Sequence, residues 1–159
     1  MNTTNGLMSK NEFRTVLEFI HGKAIDNLRL HKQLTPVGFL MVGNDMKMTL
    51  LDFSTDERKQ ESIEALKSQA RKVKARGVFV VSEGWMSKQV NPENFVPPRN
   101  DPDKVSVIII GGITPFTEGM VIQEFTIQDG RVNFGETEIT IGCENASVNL
   151  LAGIFETTH

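Results

Sequence analysis

One segment constrains the fold of this chain more than any other: Lys72–Ser87, KVKARGVFVVSEGWMS, in which a basic helix ends at a glycine and a strand begins. Val78–Val81 are four consecutive β-favouring residues, and such an apolar run is typical of a strand buried on both faces. Ser82, Glu83 and Trp85 follow directly. Because ligands often bind at the carboxyl ends of strands in open α/β sheets, the segment predicts a location for a site, although not an activity.

The length and composition are those of one globular domain covering 1–159. The chain has 159 residues, of which 39% are hydrophobic and 23% are charged. The single cysteine, Cys143, excludes an internal disulfide and a thiolate-rich metal site. The first residues, MNTTNGLMSKNEF, lack the basic and apolar regions of a signal peptide, and no apolar run approaches the roughly 18 residues of a membrane span. We therefore expect a cytoplasmic protein without membrane association.

The charges are distributed unevenly, although the net charge is only −3. Residues 1–99 hold 15 of the 17 Lys and Arg and 11 of the 20 Asp and Glu, a balance of +4, which leaves −7 for residues 100–159. This asymmetry favours head-to-tail self-association or a basic protein partner; the alternative is that the two halves pack together and their fields partly cancel. An alternating segment at 119–141 offers an apolar face for association, so we expect a homo-oligomer.

The first predicted helix covers 10–31. Ser9 and Glu12 have the spacing of a capping box, which would satisfy two free N–H groups at the helix start. Apolar residues at helical spacing form a stripe about 120° wide that should face the core. These residues are Phe13, Val16, Leu17, Ile20, Ala24 and Leu28.

The second predicted helix covers 55–76. Ser54 and Glu57 repeat the capping-box spacing, and Gly77 suits the left-handed residue that often follows a helix. The sequence from 46 to 81 therefore predicts a strand, a helix and a strand. Such a right-handed crossover leaves its two strands parallel.

Most of the remaining pattern is typical of β-structure. It predicts a hairpin at 37–53, strands at 78–83, 105–111, 120–128 and 131–141, and a last segment at 148–156 whose type stays open. The predicted class is α+β, with two main helices packed on a mixed, mostly antiparallel sheet of five to seven strands. Gly111 and Gly112 after the strand at 105–110 predict a turn, and Gly135 predicts a β-bulge because the apolar parity changes around it.

The stretch RGVFVVSEGWMS, followed by a proline-rich loop and a hydrophobic strand, resembles segments of small uncharacterised prokaryotic and phage proteins. The resemblance covers about a fifth of the chain and implies no activity. The loop at 88–104 contains four prolines and is long for a simple connection. We expect Phe95 and Val96 to anchor this loop, and we expect Trp85, Phe95, Val96 and Arg99 to form a binding surface.

No catalytic residue is predicted, and Glu83 is the one candidate. After a buried strand its pKa could be raised by desolvation, and Asp101 or Asp103 could supply a second carboxylate, which would suit a hydrolase. The simpler interpretation is that Glu83 is paired or hydrogen-bonded and that Trp85 contributes packing, in which case Trp85→Ala would threaten folding.

No metal or cofactor is predicted. His21 and His31 lie about 80° apart around one helix and some 15 Å apart along it, so they cannot chelate one ion. The basic residues of the helix at 58–76 go most of the way around its axis, which favours a solvated helix over a nucleic-acid interface. We therefore expect a non-catalytic protein that acts by binding or self-assembly. The alternatives are a small hydrolase that uses Glu83 and a nucleic-acid-associated accessory protein that uses the helix at 58–76.

Overall fold

The computed structural model describes residues 8–86 and 104–142 as two helices and a six-stranded sheet. The elements are α1 (Lys10–His31), β1 (Val37–Val42), β2 (Asp45–Leu50), α2 (Asp56–Val73), β3 (Gly77–Met86), β4 (Val105–Ile113), β5 (Glu118–Gln128) and β6 (Arg131–Ile141). The strand order is β2-β1-β3-β4-β5-β6, and all neighbouring strands are antiparallel. The predicted α+β class is confirmed; the segment at 148–156 lies outside the described residues.

Helix α1 has the predicted bounds and the predicted N-cap. The Ser9 hydroxyl accepts a hydrogen bond from the Glu12 N–H at 3.0 Å. The second half of the capping box does not form, because the Glu12 carboxylate binds Arg76 instead. The helix ends where Lys32 takes the left-handed conformation, with φ of 62°.

Helix α2 is shorter than predicted. Thr55, not Ser54, is the N-cap, and its hydroxyl accepts from the Arg58 N–H at 3.0 Å. The helix ends because Lys74 takes the left-handed conformation, with φ of 55°, that we expected at Gly77. The chain therefore turns three residues early, and Gly77 begins β3.

Strands β2 and β3 run in the same direction, as expected for the segment from 46 to 81, since each is antiparallel to β1. They are not neighbours, because β1 lies between them. The hairpin that joins β1 to β2 turns within two residues, Gly43 and Asn44, and Gly43 has a φ of 62° that glycine adopts readily.

Each face of the sheet carries one helix. Helix α1 packs on β3, β4, β5 and β6, whereas α2 packs on β1. We call the two surfaces the α1 face, which includes Phe79, Val81 and Ile110, and the α2 face, which includes Leu40 and Val80. The α1 face of the segment at 119–141 belongs to the core under α1, so the apolar area expected to drive self-association is already covered.

The predicted turn at Gly111 and Gly112 is wrong. Gly111 and Gly112 lie inside β4, and the chain turns later, at residues 114–117. A Cβ atom on Gly112 would lie 2.5 Å from the Phe79 ring and 3.1 Å from the Phe13 ring. Glycine is required at this position because two aromatic rings pack against the strand backbone.

The predicted bulge at Gly135 is confirmed. Gln123 is opposite Thr137 and Phe125 is opposite Phe134, so one residue of β5 faces both Gly135 and Glu136 of β6. This extra residue shifts the alternation of side chains along β6 by one position. Apolar side chains therefore lie on the α1 face at both ends of the strand.

Candidate ligand-binding groove

Of the two described helices, α1 packs mainly on β3 to β6 and α2 packs on the other face of β1, so neither lies over the α1 face of the hairpin formed by β1 and β2. A cavity of about 640 Å³ opens there, between this hairpin and the second half of α1. It is bounded on one side by α1, below by the sheet, and at one end by residues 33–35, which connect α1 to β1. We call this cavity the groove.

One row of side chains on α1 forms the wall of the groove. Phe19, Lys23, Asn27 and His31 follow one another at four-residue spacing and all line the cavity. Residues at this spacing lie one above the other on a helix, so the row extends about 18 Å along the axis. The wall is therefore mostly polar and elongated.

The sheet supplies an apolar floor. Val37 is paired with Leu50, and Phe39 with Met48, so the side chains of both pairs lie on the α1 face. On the edge strand β2, Met48 is 65% exposed and Leu50 is 69% exposed. Because neither helix covers these two side chains, they offer hydrophobic area to a binding partner.

The groove has a positive character. Lys23 and His31 are the titratable side chains among its lining residues, which include no Asp or Glu in the part of the chain that the structure describes. The Lys23 Nζ atom lies 5.5 Å from the centre of the Phe19 ring, a cation–π contact between two residues of the wall.

Glu83 lies behind one end of the groove and does not line it. The side chain is exposed, and its carboxylate accepts a hydrogen bond from the Leu34 N–H. Leu34 belongs to the connection that closes this end of the groove. This hydrogen bond fits the simpler interpretation, in which Glu83 is hydrogen-bonded and structural, and Asp101 and Asp103 lie outside the described residues.

Trp85 does not have the packing role that we predicted. Its side chain is 54% exposed, and the Lys104 Nζ atom lies 5.2 Å from the ring centre. Continuous burial along β3 ends at Ser82, three residues before the tryptophan. The other predicted binding residues, Phe95, Val96 and Arg99, lie outside the described residues and stay predictions.

The sequence did not predict the groove, because the candidate site residues were chosen among polar residues that follow buried strands. A signal was present in α1, where the row from Phe19 to His31 begins with an aromatic residue directly beside the core stripe. A second signal was the alternation of Met46, Met48 and Leu50 along β2, which resembles that of an ordinary half-buried strand. Neither signal shows by itself that no helix covers the hairpin.

Other residues that were considered for metal or nucleic-acid binding contact neighbouring side chains of the protein. His21 Nε2 donates to the Gln123 side-chain oxygen at 2.7 Å, and the Gln123 amide donates to the Gly135 carbonyl at 3.1 Å. Residues 8–86 and 104–142 contain no cluster of three or more potential metal ligands. In α2, Arg58 pairs with Asp52 at 3.2 Å and Lys67 with Glu64 at 3.4 Å. Neither described helix is long and apolar enough to cross a membrane.

The fold and the groove define a small α+β protein with one antiparallel sheet. Comparisons of the chain with protein-family models, curated proteins and solved structures found no match. The function must therefore be inferred from the chemistry of the groove.

Proposed function

We propose that this protein acts by non-catalytic binding, and that the groove holds a small apolar molecule that carries an anionic group. The observation that supports this proposal is a cavity of about 640 Å³ with an apolar floor and a cationic wall. Small-molecule sites have volumes of about 300–1,000 Å³ and combine an apolar lining with a few polar groups. We also propose a reducing, cytoplasmic location, which the single cysteine supports.

The apolar part of the ligand would lie on the sheet. Phe39, Met48 and Leu50 contribute side chains that lose contact with water when a ligand covers them. Each buried methylene group of the ligand contributes about 0.8 kcal/mol. The elongated shape of the groove favours a linear chain or a pair of fused rings over a compact polar molecule.

The anionic group would bind the wall. Lys23 supplies a cationic side chain near the middle of the row, and His31 supplies a ring N–H donor at its end, so both can contact an anion in this half of the groove. Lysine suits this role because its ammonium group is a point charge on a flexible stem. A cationic ligand would gain no comparable contact from the described residues that line the groove, since none of them is a carboxylate.

Calorimetric titration with three decyl compounds tests the proposal. We expect decanoate to bind more tightly than decanol, and decyltrimethylammonium to bind most weakly. Lys23→Gln should weaken decanoate binding about tenfold and leave decanol unchanged, because one charge-assisted hydrogen bond contributes about 1.5 kcal/mol. Lys72→Gln is the matched control, since Lys72 is exposed on α2 and does not line the groove.

A second pair of variants tests the apolar floor. Leu50→Ser should weaken binding of both decanoate and decanol, whereas Leu30→Ser should change neither, because Leu30 is exposed on α1 but does not line the groove. Both substitutions are at exposed sites and should leave the fold intact. Absence of binding by all three compounds would contradict the proposed function.

A further inference from the structure

The directions of the two outer strands allow the sheets of two copies of the chain to pair edge to edge. β2 and β6 are the end strands, and neither has a second neighbour among the described residues. The sheet has six strands that alternate in direction, so β2 and β6 run in opposite directions. A second copy that is shifted sideways in the same orientation therefore places its β6 antiparallel to β2 of the first copy.

We propose that the chain associates head-to-tail with copies of itself, with β2 of one copy paired to β6 of the next. The partner is thus a second copy of this chain, and the contact extends the antiparallel sheet. Unpaired N–H and C=O groups along an edge strand are a template for such pairing. The contact joins two different edges, so it does not close into a symmetric dimer and leaves both outer edges of the assembly available.

One pair of opposite charges would meet across the two edges. Lys47 on β2 and Glu138 on β6 both lie on the α2 face, because Lys47 is opposite Leu40 and Glu138 is opposite Ile122. The +4 balance of residues 1–99 and the −7 balance of residues 100–159 steer these edges toward each other. This is the head-to-tail association that the charge asymmetry favours.

The apolar side chains are also complementary. An antiparallel register with Lys47 opposite Glu138 places Met46 opposite Ile139 on the α1 face. Cross-strand pairs of this kind are the units that stabilise a sheet. The pairing ends before Gly135, where the bulge interrupts the regular edge of β6.

The neighbouring copy would also border the groove. Helix α1 packs over β6, and the Arg29 guanidinium lies 5.3 Å from the centre of the Phe134 ring. Joining β6 of the next copy to β2 brings that copy's α1 beside the α1 face of β2. That helix would form a second wall of the groove, on the side of Met48 and Leu50 that α1 of their own chain leaves open. The inference does not depend on which ligand the groove binds.

Analytical ultracentrifugation of the full chain tests this inference. Between about 1 and 200 µM the weight-average mass should rise past that of a dimer, and it should fall again at about 0.5 M salt because the steering charges are screened. Lys47→Glu and Glu138→Lys should each weaken association about tenfold, because each places like charges opposite one another. An equimolar mixture of the two variants should associate again, since the mixed contacts restore opposite charges.

Lys72→Glu and Glu61→Lys are the matched controls, because both residues are exposed and lie on α2, not on either edge strand. Neither control should change the mass at any concentration. A single species of 17.7 kDa at every concentration overturns the inference. Association that stops at a dimer, or a mixture of the two edge variants that behaves like either one alone, also overturns it.

Discussion

Arg76 forms a salt bridge with Glu12 and thereby joins the start of α1 to the β1–β2 hairpin. Its Nη2 atom donates to both carboxylate oxygens of Glu12, at 2.8 and 3.0 Å, and its Nη1 atom donates to the Gly43 carbonyl at 2.8 Å. The Arg76 backbone N–H donates to the Met41 carbonyl at 2.7 Å. One side chain therefore fixes the hairpin, which forms the floor of the groove, relative to α1, which forms its wall.

We expect Arg76→Ala to lower the free energy of unfolding by about 2–3 kcal/mol, because the side chain is only 13% exposed and its loss leaves Glu12 without this partner. Arg76→Lys should recover only part of the loss, since lysine cannot make the forked contact. Arg58→Ala is the control, because Arg58 forms an exposed pair and should cost less than about 1 kcal/mol. Urea denaturation measures all three, and equal losses for Arg76→Ala and Arg58→Ala would contradict this interpretation.

Gly112→Ala should lower the free energy of unfolding by about 1–3 kcal/mol, because the added methyl group would push the Phe79 and Phe13 rings apart. Gly22→Ala is the matched control. Gly22 lies within α1, and a Cβ atom there would meet nothing within 4 Å, so the same substitution should raise stability by about 0.5–1 kcal/mol. Thermal and urea denaturation should show opposite signs for the two variants. The same sign for both would contradict the packing role of Gly112.

The stability of the β2–α2 connection should depend on pH. The hydroxyl of Ser54 donates to the Asp52 carboxylate and lowers the pKa of Asp52, with further contributions from the Ser54 N–H and from Arg58. A lowered pKa means that the stabilisation is present above the ordinary pKa of the group and is lost as the pH falls through the lowered value. Asp52→Asn should therefore reduce the thermal midpoint at neutral pH, and the difference should vanish in strong acid.

Ser54→Ala supplies an independent check of this pH dependence. It removes the largest cause of the lowered pKa while keeping the carboxylate, so it should also reduce stability at neutral pH and not in strong acid. A loss that persists unchanged in acid would show that either residue acts through packing or turn geometry instead.

Trp85→Ala should change stability by less than about 1 kcal/mol, since more than half of the side chain is exposed and surface substitutions are mild. Phe79→Ala is the comparison, because a fully buried phenylalanine costs about 3–5 kcal/mol when truncated. The only tryptophan of the chain should also be quenched readily by acrylamide in the folded protein. A blue-shifted, unquenched emission would contradict the exposure of Trp85.

Much of the fold follows from local sequence rules. The apolar stripe and Ser9 predicted α1 with its bounds, and the hairpin between β5 and β6 turns at Asp129 and Gly130, which both have positive φ. Gly135 was identified as a bulge because apolar parity changes around it. These features depend on periodicity, capping and turn conformation, all of which involve residues close together in the chain.

The candidate site could not be predicted in the same way. Glu83 was singled out for its position after a buried strand, yet its carboxylate binds the Leu34 N–H behind the groove. Gly112 was expected in a turn, and only the placement of the Phe13 and Phe79 rings explains it within a strand. Each of these roles depends on a partner that is distant in sequence.

The sequence by itself determined which segments become helices and strands, and which of their faces are apolar. Only the tertiary structure decided which apolar faces are covered. Met48 on β2 and Ile139 on β6 occupy similar alternating patterns, but α1 packs over β6 and leaves β2 exposed. The physical reason is that burial depends on the strand order and on the path of each helix across the sheet, which result from contacts between residues far apart in the chain.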